Sequence, residues 1–175
     1  ALLDQAEAME QQIEYQLAKA RRASGQPYAA RRVRLPDLAQ PIIRAMERLH
    51  PDKVFRIAAD NCPDIELPLD AVDYAELLSI LLDNAGKWAH HAVTLTFTRR
   101  PDGVISAIIT DDGPGMNDDE LARAFTLGTR FDPDMPGSGL GLAIARDLAD
   151  AMNLKLRLER QPMGLAATVE AGPFA

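Results

Sequence analysis

Apolar residues along this chain recur with two different periods, and the alternation between them predicts its elements. From Leu3 to about Arg22 there is no Gly or Pro, and Leu2, Ala6, Met9, Ile13, Leu17 and Ala20 follow one another at spacings of three and four. That spacing predicts a helix with one apolar stripe. Its other faces carry Gln, Glu, Lys and Arg, so the stripe needs a partner, either the domain behind it or a second copy of the same helix. Ser24-Gly25-Gln26-Pro27 stops the helix, which gives an amino-terminal helical segment over 1–25 and a linker over 26–32.

From residue 33 to 175 the two periods interleave. Arg31 to Leu35 alternates like an exposed-edge strand, and Pro36-Asp37 opens a helix that carries Leu38, Ile42, Ile43, Met46 and Leu49. A strand follows over Val54 to Ala58. Asp70 is suited to cap a helix running to Lys87, whose Leu77, Leu78, Ile80, Leu81 and Leu82 form a broad buried face. Val93 to Thr98, the turn Pro101-Asp102-Gly103 and Val104 to Thr110 read as a hairpin. A mobile stretch is expected over Phe125 to Pro136, then a helix from about Ser138 to Met152, then strands over Leu154 to Arg160 and Leu165 to Ala171. Helices alternating with mostly antiparallel strands predict an α/β fold, a two-layer α/β sandwich with one helical layer on one sheet.

Composition narrows the function classes. A chain of 175 residues with 47% hydrophobic content supports one domain plus an extension. A net charge of -7 and scattered Arg pairs argue against nucleic-acid binding, which needs a dense basic face. The lone Cys62, between Asn61 and Pro63 in an expected turn, excludes a disulfide framework and a Cys-based metal site. No run approaches transmembrane length, and Ala1-Leu2-Leu3-Asp4 lacks the layout of a signal peptide. The expected location is cytoplasmic, with no membrane contact by this segment; a parent protein anchored in the inner membrane is compatible with it.

Three segments carry candidate chemistry. Asn84 and Lys87 share a helix face; an amide oxygen suits Mg²⁺ and an ammonium offsets phosphate charge, although a solvated helix end has the same composition. Asp111-Asp112-Gly113-Pro114-Gly115 places an acid at the end of an apolar strand. Such a carboxylate accepts from the exocyclic amine of adenine and would not accept from guanine, which presents a carbonyl there; an ordinary Gly-Pro turn is the alternative. Gly137-Ser138-Gly139-Leu140-Gly141-Leu142 leads from a loop into a helix with unobstructed backbone amides, a site for anions or else a flexible cap. It is neither a dinucleotide fingerprint nor a P-loop. Arg130, in the loop before it, either swings onto phosphates or is a solvated charge. Metal, base and phosphate roles in fixed order make ATP with Mg²⁺ the expected ligand.

These residues resemble the ATP-binding catalytic domain of bacterial sensor histidine kinases, in the superfamily shared with DNA gyrase, the large heat-shock chaperones and mismatch-repair ATPases. Leu81 to Trp88 is similar to that family's asparagine box, Asp111 to Gly115 to its first glycine box, Phe125 to Phe131 to its phenylalanine box, and Gly137 to Leu142 to its second glycine box. The resemblance implies a Bergerat-type ATP-binding fold in which Asn84 coordinates Mg²⁺ and Lys87 and Arg130 contact phosphates. It further implies that Trp88 stands beside the nucleotide, Asp111, with Gly113 and Gly115, holds adenine, and Gly137, Ser138, Gly139, Leu140 and Gly141 cradle phosphates. Phe125 to Pro136 would be the ATP lid. The amino-terminal segment, especially Gln11 to Arg21, is similar to the end of a dimerisation helix. The implied partners are then a phosphoacceptor helix of the same or a partner subunit of a homodimer, and a response regulator.

None of the three histidines has the sequence context of the phosphoacceptor, so His50 and the His90-His91 pair read as surface residues and the acceptor histidine is expected outside this chain. One position departs from the family. Ile80 stands where the family has a second Asn, or a water-activating Glu in its hydrolysing relatives, and an apolar side chain can neither bind Mg²⁺ nor act as a base. Ile80 motivates one rival to a protein-histidine kinase, a degenerate, non-catalytic module used for docking; a third reading is a kinase of serine on a regulatory partner, which uses a related domain without a dimerisation helix and against which the amino-terminal helical stripe speaks.

Overall fold

The computed structural model describes residues 31–58, 65–129 and 139–172, together with Ile13 and Gln16, both helical and exposed. The rest of the predicted amino-terminal helix, the Ser24 to Pro27 hinge, the turn around Cys62 and residues 130–138 lie outside the described residues.

Strand β1 (Arg31–Arg34) runs directly into helix α1 (Leu35–Leu49). Then come β2 (Val54–Ala58), β3 (Glu66–Leu69), helix α2 (Ala71–Trp88), β4 (Ala92–Arg99), β5 (Ile105–Asp111), the short helix α3 (Asp118–Arg123), helix α4 (Gly141–Ala151), β6 (Lys155–Arg160) and β7 (Leu165–Ala171). Five strands form one sheet in the order β2-β4-β5-β7-β6, antiparallel except for the parallel β2–β4 pair, while β1 and β3 form a separate antiparallel pair.

The layers follow from the side-chain periods. In β4, Val93, Leu95 and Phe97 are buried and the intervening threonines are half-exposed, so one face of the sheet is the core face. Onto it α1 buries Leu35, Ala39, Ile42, Ile43 and Met46, and α4 buries Leu142, Ile144, Ala145, Leu148 and Ala149. Helix α2 lies between them, packed against both and against β4 and β5. Its broad face of Tyr74, Leu77, Leu78, Leu81, Leu82 and Ala85 is buried because it has neighbours on three sides. The two-layer sandwich read from the sequence is the architecture observed.

Local signals account for most boundaries. Asp70 caps α2, its Oδ1 accepting from the backbone N–H groups of Val72 at 2.8 Å and Asp73 at 2.9 Å. Three details differ from the sequence reading. Strand β3 was not expected, although Ile65, Leu67 and Leu69 alternate and are all buried; Pro68 is tolerated because this strand has a single partner, β1. Helix α3 was also not expected, although Asn117 and Glu120 form a reciprocal capping box. The helix expected from Ser138 begins at Gly141 instead, because Gly139 has a φ of 71°, a left-handed conformation that no helix continues through.

Candidate functional site

Helix α2 is the axis of the site. Residues 80, 84 and 88 stand one turn apart on it and form a single stripe. At one end of that stripe, a Cβ built on Gly113 would come within 2.3 Å of the Trp88 carbonyl oxygen, so the Asp111 to Gly115 turn lies directly against the end of α2. At the other end, a Cβ on Gly141 would meet Ile80 Cγ2 at 3.5 Å, an ordinary contact, so the start of α4 flanks the same stripe. Asn84 lies half-buried between these two contacts. The fold thus brings the Asn84 helix and both glycine segments together, although more than fifty residues separate the first from the last.

Asp111 closes β5 and is only 8% exposed, one of two polar residues that are buried among those described. Its Oδ1 accepts from the backbone N–H of Gly113 at 2.9 Å. Burial pushes its carboxyl above the usual carboxylate range, and the backbone N–H groups of Gly113 and Leu165 oppose that only in part. The residue that presses hardest on Asp111 is one the sequence reading passed over. Gly164, in the β6–β7 turn with a φ of 80°, would place a Cβ 1.9 Å from the Asp111 carbonyl oxygen. The only sequence signal was a glycine between two strand patterns. Gly115, with a φ of 73°, would in turn place a Cβ 2.7 Å from the Gly164 carbonyl oxygen. Gly113, Gly115 and Gly164 therefore interlock around the base of the acid.

The neighbouring acid does different work. The Asp112 carboxylate accepts from the backbone N–H groups of His91, at 2.9 and 3.1 Å, and Ala92, at 3.1 Å, and so ties the turn to the start of β4. Desolvation pushes its carboxyl up, and the backbone N–H groups of His91, Ala92 and His90 outweigh this and hold it down to about 2. A depressed acid stabilises the fold above its unfolded value, near 3.9, and that contribution is lost as pH falls through about 2. Asp112→Ala is expected to lower stability at pH 7 by about 2 kcal/mol, with the gap to the unaltered protein closing at pH 2; denaturant titrations at both pH values check it.

Two further residues meet at Asp83, and one of them, His50, differs from its sequence reading. Lys87 Nζ is bonded to Asp83 Oδ2 at 2.6 Å, one turn back on α2. His50, expected at the surface, has a side chain only 13% exposed, and its Nε2 bonds Asp83 Oδ1 at 2.9 Å. It is drawn in because Gly86 has no side chain, so the ring can lie across α2. His91 is exposed, with Nδ1 3.4 Å from Asp112 Oδ2.

The loop before α4 is fastened at both described ends. Gly128 N–H donates to the Gly139 carbonyl at 3.1 Å, and a Cβ on Gly139 would meet the Thr129 carbonyl oxygen at 2.7 Å. The Arg146 guanidinium sits over the Phe125 ring, 4.1 Å from its centroid, while Nη1 donates to the Leu156 carbonyl at 3.0 Å. Leu140 is buried and its carbonyl accepts the first α4 bond, from Ile144, at 2.9 Å. Arg130, Gly137 and Ser138, and with them the middle of the expected lid, lie outside the described residues. No group of three or more His, Cys, Asp or Glu suited to a metal occurs among the described residues.

Known proteins share this fold. The sequence profile of the family described as "Histidine kinase-, DNA gyrase B-, and HSP90-like ATPase" matches residues 69–172, more than half of the chain. "Sensor protein kinase CarS" of Pseudomonas aeruginosa is 44% identical over 109 residues, which are 62% of this chain and 24% of that protein. "Two-component sensor PhoQ" of the same species is 33% identical over 164 residues, 93% of this chain and 36% of its own length. The chain thus spans about a quarter to a third of these curated relatives. Among solved structures, the mycobacterial sensor histidine kinase MprB superposes with a TM-score of 0.71 at 25% identity, over 83% of this chain and 99% of that one. Full-length ShkA, solved in complex with AMPPNP, superposes with a TM-score of 0.68 at 28% identity, over 83% of this chain and 31% of that one. From residue 69 to 172 the chain belongs to the histidine kinase-, DNA gyrase B- and HSP90-like ATPase family, as an ATP-binding domain of the kind found in sensor histidine kinases.

Proposed function

We propose that this domain binds ATP with Mg²⁺ along the stripe of α2 that carries Asn84, and presents the γ-phosphoryl group to a histidine on a dimerisation-type helix outside this sequence. The observation that carries the reading is the meeting of Trp88 with Gly113, and of Ile80 with Gly141, on either side of Asn84. Asp111 accepts from the adenine amine, and the backbone of Gly139, Leu140 and Gly141 receives phosphate oxygens, with Gly137 and Ser138 continuing that cradle. Lys87 and Arg130 offset phosphate charge. Asn84 offers one amide oxygen, which fits a metal that keeps most of its waters; bound there, Mg²⁺ would neutralise charge on the phosphates. Transfer forms a bond from the acceptor imidazole nitrogen to phosphorus and breaks the bond to the β-phosphate oxygen, so that ADP leaves. The domain's contribution is positioning and electrostatics. A response-regulator aspartate then takes the phosphoryl group, within a homodimeric, cytoplasmic signalling assembly. The engagement of the half-buried His50 with Asp83 supports an acceptor supplied from elsewhere.

Calorimetric titration of ATP, with and without Mg²⁺ and with GTP as control, tests the reading. Saturable, adenine-selective binding that Mg²⁺ strengthens is the expected result, and a folded chain that binds no ATP would refute it. Ile80 motivates one rival, a docking module that has lost nucleotide binding, since this side chain is packed on the core and against Gly141 where the family places a polar one. Ile80→Asn separates the two. A working site built without that ligand changes its Mg²⁺-ATP affinity by less than about 3-fold, whereas a site degenerate at this position gains about 10-fold or more.

A further inference from the structure

His50 belongs to none of the nucleotide-binding segments, yet the fold takes it to the helix that carries them. It caps the end of α1, its N–H donating to the Met46 carbonyl at 2.8 Å, and Pro51 prevents the helix from continuing. Because α1 packs against α2, the imidazole crosses α2 at Gly86, where a Cβ would come within 2.6 Å of its Cδ2. On its other side stands Phe55 of β2, with ring centroids 5.9 Å apart. The ring therefore occupies a fitted slot made by three elements, with Nε2 directed at Asp83 Oδ1, 2.9 Å away. The carboxylate accepts, so Nε2 carries the proton.

The other oxygen of the same carboxylate holds Lys87 at 2.6 Å. One acid is thus divided between two donors. At about 100° per residue, Lys87 projects between Asp83 on one side and Ile80 and Asn84 on the other, so a small rotation of its side chain carries the ammonium from the acid to the nucleotide stripe. How readily it goes depends on how strongly Asp83 retains it. With Oδ1 occupied by His50, only Oδ2 faces the ammonium. Without His50 both oxygens are available, and the pair tightens.

We propose that His50 is a positioning residue for the nucleotide's phosphates: by occupying one oxygen of Asp83 it limits Lys87 to a single bond, to the other oxygen, and leaves it ready to transfer from Asp83 to the phosphate groups. This rests on the reading of Lys87 as a phosphate ligand. His50 touches neither ATP nor Mg²⁺ and acts only through Asp83. Its environment holds two further charges, Asp52 and Lys53 in the turn after α1; these pair with each other at 2.8 Å and leave Asp83 to the imidazole.

A double-mutant cycle tests it. Mg²⁺-ATP affinity is measured calorimetrically for the unaltered chain, His50→Phe, Lys87→Ala and the double variant, with thermal unfolding of each as the control for folding. Phe keeps an aromatic ring in the slot against Phe55 and over Gly86, and removes only the donor. His50→Phe is expected to weaken binding by about 3- to 10-fold, and to have no effect once Lys87 is alanine. His50→Gln, which restores a neutral N–H donor without the ring, is expected to recover most of the loss; should the Phe variant fail to fold, His50→Leu, which also removes the donor, reads the same coupling. A His50 effect of equal size with and without Lys87, or a Lys87→Ala chain that binds as the unaltered one does, overturns the proposal. If the unaltered chain binds no ATP, both this inference and the proposed function fall; binding with an additive cycle overturns this inference alone.

Discussion

Asp111→Asn is expected to weaken ATP binding by at least about 100-fold while leaving the domain folded. The carboxylate has two acceptor oxygens, and Oδ1 is already committed to the Gly113 N–H at 2.9 Å. An Asn in its place keeps that bond by turning its carbonyl oxygen the same way, which directs its NH₂ group at the ligand. The adenine amine would then face a donor instead of an acceptor, and two unpaired buried donors cost far more than one lost bond. The fold, by contrast, gains from losing the charge. Burial holds the Asp111 carboxyl above its ordinary range, so the folded state binds the proton more tightly than the unfolded chain does. The unaltered protein therefore loses stability as pH rises from the unfolded value, near 3.9, through the folded one, and the loss is complete above it. Asp111→Asn removes this loss, so at pH 7 the variant should unfold at the same temperature as the unaltered protein or a higher one. Calorimetry with ATP and a thermal melt at pH 4 and pH 7 check the two halves. Unchanged affinity in a folded variant would remove Asp111 from the adenine site.

Gly164→Ala is expected to be the most damaging single methyl group in the described structure, costing about 4 kcal/mol or more. The added carbon would lie 1.9 Å from the Asp111 carbonyl oxygen, 2.6 Å from its carbonyl carbon and 2.7 Å from its Oδ1, and all but the last are backbone. Backbone cannot step aside as the end of a flexible side chain can. Next to Gly164 the ladder between β5 and β7 pairs Thr110 with Ala166, so any shift that relieves the clash pulls β7 away from β5 and displaces Asp111 with it. The φ of 80° adds a left-handed penalty of its own, about 1–2 kcal/mol. Gly128 isolates that part of the effect. Its φ is 77°, but a Cβ there would meet nothing within 4 Å, so Gly128→Ala should cost only the left-handed penalty. Unfolding free energies of the two variants, from denaturant titrations run side by side, should differ by more than about 2 kcal/mol. Equal losses would mean that the approach of Gly164 to Asp111 carries no energetic weight.

Both results depend on contacts that differ in how far the sequence announces them. The placement of the segments was legible: an acid at the end of an apolar strand, an Asn and a Lys three apart on a helix, and glycines opening a helix are local statements. Their family follows from order and spacing, and the profile match over residues 69–172 agrees with it. Most elements were legible for the same reason. Helix α2 announces itself by Asp70 and its broad apolar face, and the β4–β5 hairpin by alternating threonines and Pro101-Asp102-Gly103. Strand β3 and helix α3 carried their signals too, in the alternation of Ile65, Leu67 and Leu69 and in the Asn117–Glu120 box, but each is short, and short signals are easily taken for loop.

What the sequence by itself determined is thus the set of local periods, caps and turn chemistries, since these depend on neighbours within a few positions along the chain. It also determined which residue types were available for the proposed metal, base and phosphate roles. Only the tertiary structure decided which backbones touch. It set Gly164 on Asp111, Gly113 on the end of α2 and Gly86 beneath His50, and it made His50, a residue with no motif around it, share an acid with Lys87. The physical reason is that close packing acts between atoms far apart in the chain: a glycine needed for room is identical in sequence to a glycine needed for a turn, and only the neighbour that fills its missing side chain distinguishes them.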